Sequence, residues 1–280
     1  MIWLGLSILS SAAVAVLLKY ASVRRVSQFP LFAVNYATAL VLGLVLAEQG
    51  SAAAEPAAGI ALAVATGVLY VLGFLVFKRT ITEAGTGIAT SVSRLSVTLP
   101  VLVSVAVFGE IVGGWQAAGI VLAIAVLPLS GKVWPPRRDE LRAGALVWTL
   151  AVFVIFGLND IVLKVRSELL PRSEPGFFFA LLFGAAGVIS VVLALARRER
   201  FRALTLLGIP LGAVNYGTAH FLANALETVP GSQAFTLNSV GVMLVAVLAG
   251  RLLFAERLAR HNYLFLAGSL AAIVLVRVPA

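Results

Sequence analysis

The side chain whose position points most directly to chemistry is Arg94. It lies in the run 90–108, whose other residues are mostly apolar or small. An arginine near the centre of a membrane helix costs about 2.5 kcal/mol or more, so it is expected to face protein or a water-filled cavity. Its planar guanidinium can hold a carboxylate or phosphate through two parallel hydrogen bonds. We predict that Arg94 binds an anionic group; the alternative is a structural arginine paired with a helix-end carbonyl or an acidic side chain.

Asp160 is the candidate for proton transfer. It follows Asn159 in a long apolar run and precedes Lys164 by about one helical turn. A carboxylate inside a membrane can exchange a proton, which would couple transport to a proton gradient. The alternative is an ion pair between Asp160 and Lys164, four residues apart on one helix near the membrane surface. Asn159 is included among the predicted substrate-binding residues.

Further polar side chains stand within apolar runs. An Asn-Tyr dipeptide occurs twice, and a histidine that titrates near neutrality follows the second copy. Another asparagine lies beside the position that corresponds to Arg94 in the second half of the chain. We predict that all of them line a substrate cavity; the alternative is that they join helices through hydrogen bonds worth roughly 0.6–2 kcal/mol. These residues are Asn35, Tyr36, Asn215, Tyr216, His220 and Asn238.

Three residues are predicted to have structural roles. Glu110 and Glu256 each follow an apolar run and open the next one. A carboxylate there offsets the partial positive charge of the exposed N–H groups at the start of a helix, so capping of the following helix is expected. Pro100 lies within the apolar run that carries Arg94, and this run is predicted to form one membrane helix.

Composition identifies the elements that must position these groups. Of the 280 residues, 61% are hydrophobic and 12% charged, and the mean hydropathy is +1.04. Such a chain is expected to be an integral membrane protein with no room for a separate soluble domain. The absence of cysteine excludes disulfides and thiolate metal sites. The net charge of +9 lies at the ends of the apolar runs, so a nucleic-acid site is not expected.

Ten runs are long enough to span a membrane, and the sequence therefore predicts an all-α protein with about ten transmembrane helices. A polar, proline-containing linker, 131–142, separates residues 1–130 from residues 143–280, each with five runs. The runs are 2–20, 29–47, 58–77, 86–108, 112–128, 143–164, 176–196, 204–226, 232–254 and 263–276.

The two halves look like copies of one another. Four landmarks recur at a separation of 145 or 146 residues: Lys19 and Lys164, Pro30 and Pro175, Gly85 and Gly231, Glu110 and Glu256. Because each half has an odd number of helices, the second copy is inverted in the membrane relative to the first. Two inverted five-helix repeats are typical of secondary transporters, whose binding site lies at the repeat interface.

The distribution of basic residues predicts the orientation. Sixteen lysine and arginine residues fall in the odd-numbered connections between runs, against four in the even-numbered connections and the tails. Cytoplasmic loops carry the excess of positive charge, so both termini are predicted to be non-cytoplasmic. The expected location is the bacterial inner membrane, which the chain crosses several times.

With this layout the chain resembles the drug/metabolite transporter superfamily, in particular its EamA-like members. Their pattern in each half is a proline, an apolar run, Gly-Glu, and a glycine-containing helix. The first half matches it at Pro100, Gly109, Glu110 and Gly119. The second half matches it less fully, with Ala255 where Gly109 has its counterpart and no proline equivalent to Pro100; the residues there are Asn238, Gly241, Glu256 and Gly268.

This resemblance implies a secondary transporter that works by alternating access. We expect an exporter or exchanger of a small polar or amphipathic metabolite, with proton coupling or facilitated diffusion as the two mechanisms. Alternatives are a translocator of a lipid-linked precursor and a non-transporting membrane subunit. The expected partners are the small-molecule substrate and the lipid bilayer, and the chain is expected to be a monomer or a homodimer.

Enzymatic activity is not expected. The sequence has two histidines, no HExxH motif and no GxxxxGK[ST] nucleotide-binding loop, so neither a metal centre nor ATP hydrolysis is predicted. No cofactor is expected.

Overall fold

A computed structural model describes residues 1–47, 55–130, 143–170, 174–254 and 259–278. Within these ranges the backbone forms helices and turns, with no strand. The α-helices are α1 (Ile2–Val23), α2 (Gln28–Leu46), α3 (Ala57–Leu95), α4 (Thr98–Ala106), α5 (Gly114–Val126), α6 (Ala143–Leu169), α7 (Pro175–Ala196), α8 (Gly208–Leu226), α9 (Gly231–Phe254) and α10 (Arg260–Val276). Two short 3₁₀ helices, Leu127–Ser130 and Ala203–Leu207, follow α5 and precede α8.

Seven helical stretches in the described residues are long and apolar enough to cross a membrane. The apolar stretch Gly114–Ser130 and helix α10 are shorter. An all-α protein with several helices suited to a membrane is what the composition predicts, and this part of the prediction is confirmed. The seven stretches are Ile2–Val23, Gln28–Leu46, Ala57–Gly85, Ile88–Ala106, Gly144–Leu169, Pro175–Ala196 and Gly231–Leu253.

Helix α3 contains one non-helical residue, Gly85, with φ 85° and ψ 157°. A positive φ of this size is accessible to glycine because it has no Cβ. Nothing lies within 4 Å of where a Cβ on Gly85 would be, so the backbone conformation, rather than crowding, requires glycine here. The residue separates the span Ala57–Gly85 from the next span, Ile88–Ala106.

The span that carries Arg94 is interrupted, whereas the sequence predicts one continuous helix. Helix α3 ends at Leu95 and α4 begins at Thr98. Pro100 has no N–H to donate to the carbonyl of Ser96, which instead accepts a hydrogen bond from Leu99 N–H at 2.9 Å. The proline thus shortens the hydrogen-bond spacing ahead of it and divides the span in two.

The chain forms two compact units. The first unit contains Met1–Val71 and Val165–Ala225, and the second contains Leu72–Lys164 and Leu226–Ala280. Each unit therefore combines helices from both halves of the sequence. The predicted repeats, residues 1–130 and 143–280, concern similarity between two parts of the sequence. The division into compact units does not test this similarity, so the repeats stay a prediction. Their linker, 131–142, lies outside the described residues.

The first unit is held together by close packing of α2 against α7. A Cβ added to Gly43 would lie 2.9 Å from both the backbone nitrogen of Ala180 and the carbonyl oxygen of Gly176. Small residues let membrane helices approach this closely and gain van der Waals contact. Two phenylalanines of α7, Phe179 and Phe183, are fully buried in this unit.

The second unit packs α10 against α5 and places α9 beside α4, α5 and α10. The side chain of Gln116, near the start of α5, donates to the carbonyl of Val278 at 3.0 Å. Asn262 caps α10 by accepting a hydrogen bond from Ala259 N–H at 2.9 Å. These contacts fix the ends of both helices, which pack beside α9.

Gly43→Ala is expected to destabilise the protein by about 1–3 kcal/mol, because the added methyl group overlaps the backbone of α7, which cannot move aside as a side chain can. Thermal unfolding of the detergent-purified protein measures the effect. Gly184→Ala is the matched control on the same pair of helices, since its Cβ would lie 3.6 Å from a Leu40 methyl, an ordinary contact. Equal melting temperatures for the two variants would contradict this account of the α2–α7 packing.

Candidate functional site

The second unit contains a pair of opposite charges inside the apolar spans. Arg94 lies in the last turn of α3, where the carbonyl end of the helix carries partial negative charge. Asp160 lies within α6, and the two side chains interact electrostatically. Both residues are partly buried. The helix interruption at Ser96 follows directly, so the charge pair stands where the span is broken.

Helix α6 is positioned by its contacts along α3. The hydroxyl of Thr80 donates to the carbonyl of Trp148 at 3.0 Å, and the rings of Phe77 and Phe156 lie 5.7 Å apart between centroids. Further along, a Cβ on Gly73 would lie 3.7 Å from the Asn159 amide nitrogen. The Ala57–Gly85 part of α3 therefore runs antiparallel to α6. Arg94 lies beyond Gly85, in the next span, which approaches α6 where Leu99 contacts Gly157.

Three of the predicted site residues share an unusual feature in this unit. The Nε atom of Arg94 and the amide oxygens of Asn159 and Asn238 are buried, and none has a hydrogen-bond partner within the described ranges. The same holds for the hydroxyl of Ser91, one helical turn before Arg94. Buried polar atoms nearly always have a partner, because leaving one unpaired costs about 1–3 kcal/mol. These atoms can therefore receive hydrogen bonds from, or donate them to, a polar ligand or water.

Glu110 forms a separate network at the start of α9. Its carboxylate accepts hydrogen bonds from the backbone N–H groups of Gly231 at 2.6 Å and Ser232 at 2.8 Å, and it pairs with the Lys164 ammonium at 2.7 Å. The sequence predicts that Glu110 caps the next helix along the chain, and the structure shows a different arrangement. Gly109, with φ 68°, turns the chain ahead of Glu110. The carboxylate instead caps a helix 121 residues further on.

The charges of this network are largely hidden from solvent. The side chains of Lys164 and Glu110 are 3% and 12% exposed. Burial alone would raise the pKa of Glu110, but the hydrogen bonds from Lys164, Ser232 and Gly231 outweigh it and hold the pKa below its ordinary value. The carboxylate is thus charged at neutral pH and ties α6 to α9.

Sequence reasoning missed Lys164 as part of this network. It treated Lys164 as a helix-end charge or as the partner of Asp160. The sequence shows a lysine at the end of an apolar run and, elsewhere, the Gly-Glu motif of Glu110. Nothing in their spacing connects Lys164 with Glu110. Of the other predicted structural residues, Pro100 is buried and interrupts the span, and Glu256 lies outside the described residues.

The remaining predicted site residues belong to the first unit, where they contact one another. The Asn215 amide donates to the Asn35 side-chain oxygen at 3.3 Å, which joins α8 to α2. The Tyr216 hydroxyl and His220 Nδ1 are 3.4 Å apart, and their rings stack with centroids 5.3 Å apart. Tyr36 packs on Phe183, with ring centroids 6.0 Å apart. The predicted set therefore divides into two groups, one in each unit.

No family model matches the sequence. An uncharacterized protein of Haemophilus influenzae is 27% identical over 279 residues, which cover 95% of this chain and 94% of that protein. A solved crystal structure of a protein matches with a TM-score of 0.76 and 14% identity, over 99% of this chain and 96% of the other. At this identity the likeness concerns the fold alone. It extends over nearly the full length of both chains.

Glu110→Gln is expected to destabilise the protein by about 3–5 kcal/mol, because it leaves the buried Lys164 ammonium without its counter-ion. The double variant Glu110→Gln with Lys164→Met is expected to regain most of that loss, since no uncompensated charge remains. Thermal unfolding of the two single variants and the double variant in detergent gives the coupling energy. Additive effects of the two substitutions would show that the ion pair carries no stability.

The lowered pKa of Glu110 predicts how the stability of the protein depends on pH. The pKa of Glu110 in the folded state lies below its ordinary value of 4.5, so its contribution is fully present above pH 4.5 and is lost as pH falls through the lowered folded value. Melting temperatures measured from neutral to acidic pH should therefore converge for the wild type and Glu110→Gln at the acidic end. A constant difference across that range would contradict the assignment.

Proposed function

We propose that the protein is a secondary transporter that moves a small polar or amphipathic metabolite across the membrane by alternating access. The observation that carries the proposal is a set of polar residues within the apolar helices of the second unit, namely Arg94, Asp160, Asn159 and Asn238. It combines two opposite charges within apolar spans, two buried amide oxygens without partners in the described residues, and an interrupted helix.

The energetic cost of these groups supports a functional reading. Apolar side chains would pack the same helices at lower cost, since a buried ion pair seldom adds stability over hydrophobic residues of similar volume. Intramembrane charges accordingly tend to mark substrate or proton pathways. Transporters also place discontinuous helices at their binding sites, where the helix ends supply partial charges to the substrate. The break between Leu95 and Thr98, beside Arg94, is of this kind.

The chemistry of the group favours a substrate with an anionic moiety and hydrogen-bond donors. Arg94 would hold the anionic moiety, and the amide oxygens of Asn159 and Asn238 would accept hydrogen bonds from N–H or O–H groups. Because ionised Asp160 competes for Arg94, protonation of Asp160 would free the guanidinium to bind the substrate. This competition would couple transport to protons. If Asp160 does not exchange a proton, the mechanism is facilitated diffusion.

The proposed architecture has ten transmembrane helices arranged as two inverted five-helix repeats. The count takes the seven long apolar stretches and adds Gly114–Ser130, α8 and α10, which are shorter or less apolar. The matching motifs around Pro100 and Glu110 support membership of the EamA-like transporters. We propose a location in the bacterial inner membrane with both termini non-cytoplasmic, in agreement with the charge distribution.

The residues of the first unit enter the proposal in a different role. The Asn215 amide bonds to Asn35 and joins α8 to α2, and Tyr216 contacts His220 within α8, so we assign these side chains to helix assembly. Substrate binding is therefore assigned to the second unit. Tyr36, whose ring lies between Phe32 and Phe183, belongs with the packing residues.

Neutralising the charge pair is expected to weaken substrate binding while the protein stays folded. In Arg94→Gln with Asp160→Asn both charges are removed, so no uncompensated charge is left in the membrane. We expect substrate affinity to fall about tenfold to a hundredfold, the worth of one charge-assisted hydrogen bond. A thermal-shift screen of the wild type against amino acids, organic acids, nucleosides, sugar phosphates and cationic drugs finds the ligand, and counterflow in proteoliposomes measures its transport.

Arg79→Gln with Glu83→Gln is the matched control. It removes an exposed ion pair at 2.6 Å in the same unit, with the same change of charge, and should leave binding and flux unchanged. Undiminished flux in the Arg94 and Asp160 double variant would refute the assignment of the site. A response to lipid-linked phosphates alone would indicate a translocator of lipid-linked precursors. No ligand and no flux would favour a non-transporting subunit.

A further inference from the structure

One end of the first unit carries a dense group of arginines, which we call the arginine end. The segments that contain them meet in space: Phe29 N–H, at the start of α2, donates to the Glu199 carboxylate at 3.2 Å, and the Arg197 guanidinium lies 4.9 Å from the centre of the Phe29 ring. All six arginines are exposed and follow either α1 or α7: Arg24, Arg25, Arg197, Arg198, Arg200 and Arg202.

A small apolar cluster fixes the helices beneath this surface. Ala21 of α1, Leu31 of α2 and Leu211 of α8 are buried against one another. Leu207, at the end of the 3₁₀ helix that follows Arg202, packs on the same cluster. The ends of α1, α2 and α8 are therefore held together, and the arginines project from a fixed base.

Two residues at this end have the same strained backbone conformation. Arg25 and Arg198, with φ 52° and 54°, are the two non-glycine residues with positive φ in the described residues. Each is the second residue after its helix. Each belongs to a Schellman motif, closed by Val26 N–H to the Ala21 carbonyl at 3.0 Å or by Glu199 N–H to the Ala194 carbonyl at 2.9 Å. Glycine is the usual residue at this position, because a Cβ makes the conformation costly.

The charge of a helix C-terminus does not by itself explain these two arginines. A basic residue interacts with the helix dipole equally well from the last helical turn, where the backbone carries no strain. Strained conformations that persist in a structure point to a functional requirement for the side chain. Two arginines at glycine-type positions of the same end indicate that their guanidinium groups are needed there.

Most of this charge is available for binding. Arg25, Arg198, Arg200 and Arg202 have no carboxylate within ion-pair distance in the part of the chain that the structure describes. Glu199, the acidic residue of the segment, accepts a hydrogen bond from Phe29 N–H. Next to these arginines, apolar side chains such as Phe201 and Leu204 are exposed. A surface of guanidinium groups beside apolar side chains matches a lipid phosphate above its acyl chains.

We propose that the arginine end is a binding site for anionic phospholipids, whose headgroup phosphates are held between the ends of α1 and α7. Arginine suits this task because its planar fork pairs with two phosphate oxygens at once. The lipid links two helix ends of the first unit and stabilises their packing. This inference depends on the membrane setting of the helices and not on transport, so it stands or falls independently of the proposed function.

The test uses the full-length protein in detergent with added phosphatidylglycerol, phosphatidylcholine or inorganic phosphate. We expect phosphatidylglycerol to raise the melting temperature, and the other two additives to have little effect at the same phosphate concentration. In Arg25→Gly with Arg198→Gly, glycine keeps both Schellman motifs and relieves their strain, so the lipid-free protein should be at least as stable as the wild type. The affinity for phosphatidylglycerol should nevertheless fall about tenfold or more, because two guanidinium groups are lost.

The control variant Arg260→Gln with Arg277→Gln removes the same net charge from exposed positions of the second unit and should keep the wild-type response. Three results would overturn the proposal. They are equal stabilisation by phosphatidylglycerol and phosphatidylcholine, equal loss of response in the control variant, and stabilisation by inorganic phosphate alone, which would indicate a site for a soluble anion.

Discussion

Hydrocarbon offers no hydrogen-bond partner, and this constraint governs where the chain departs from regular helix. Each polar group inside a span must be satisfied by the protein, so an interruption survives only where other atoms take over the lost bonds. At Ser96 the carbonyl that Pro100 leaves unpaired accepts from Leu99 N–H. At the start of α9 the free N–H groups of Gly231 and Ser232 are satisfied by Glu110. Both departures lie in the second unit, which also contains Arg94 and Asp160.

The buried polar groups of this unit differ in whether their hydrogen bonds are satisfied within the described residues. The Glu110 carboxylate accepts from two backbone N–H groups and pairs with Lys164, so it needs nothing further and acts as a link between α6 and α9. Arg94 has an opposite charge nearby but keeps a buried Nε atom without a partner in the described residues. A protein under the hydrocarbon constraint leaves such an atom unpaired where a ligand or water completes its bonding. The contrast, rather than the presence of charge, distinguishes the two clusters.

The sequence predicts local features of this fold better than its long-range contacts. Long apolar runs predict the helices because burial in lipid depends on composition alone, whereas the interruption ahead of Pro100 was not predicted. The sequence does not show which helix Glu110 caps. Gly231 is 121 residues away, and a capping carboxylate has the same sequence pattern whether it caps a near or a distant helix. Arg94 and Asp160 were identified singly as charges within apolar runs. Their interaction depends on how the span Ile88–Ala106 packs on α6, where Leu99 contacts Gly157, and hydropathy does not encode this packing.

The contacts of a recurring motif say more about its chemistry than its recurrence does. The two Asn-Tyr dipeptides suggested a shared cavity, yet in the first unit Asn35 and Asn215 hydrogen-bond to each other and Tyr216 stacks on His220. Each amide thereby gives up part of its capacity to bind a substrate, because an occupied lone pair or N–H cannot also serve a ligand. Asn159 and Asn238, which recur in no motif, retain free amide oxygens within the described ranges. A ligand gains more from atoms without partners than from atoms whose existing bonds must first be broken, and this difference is the reason for placing the proposed binding site in the second unit.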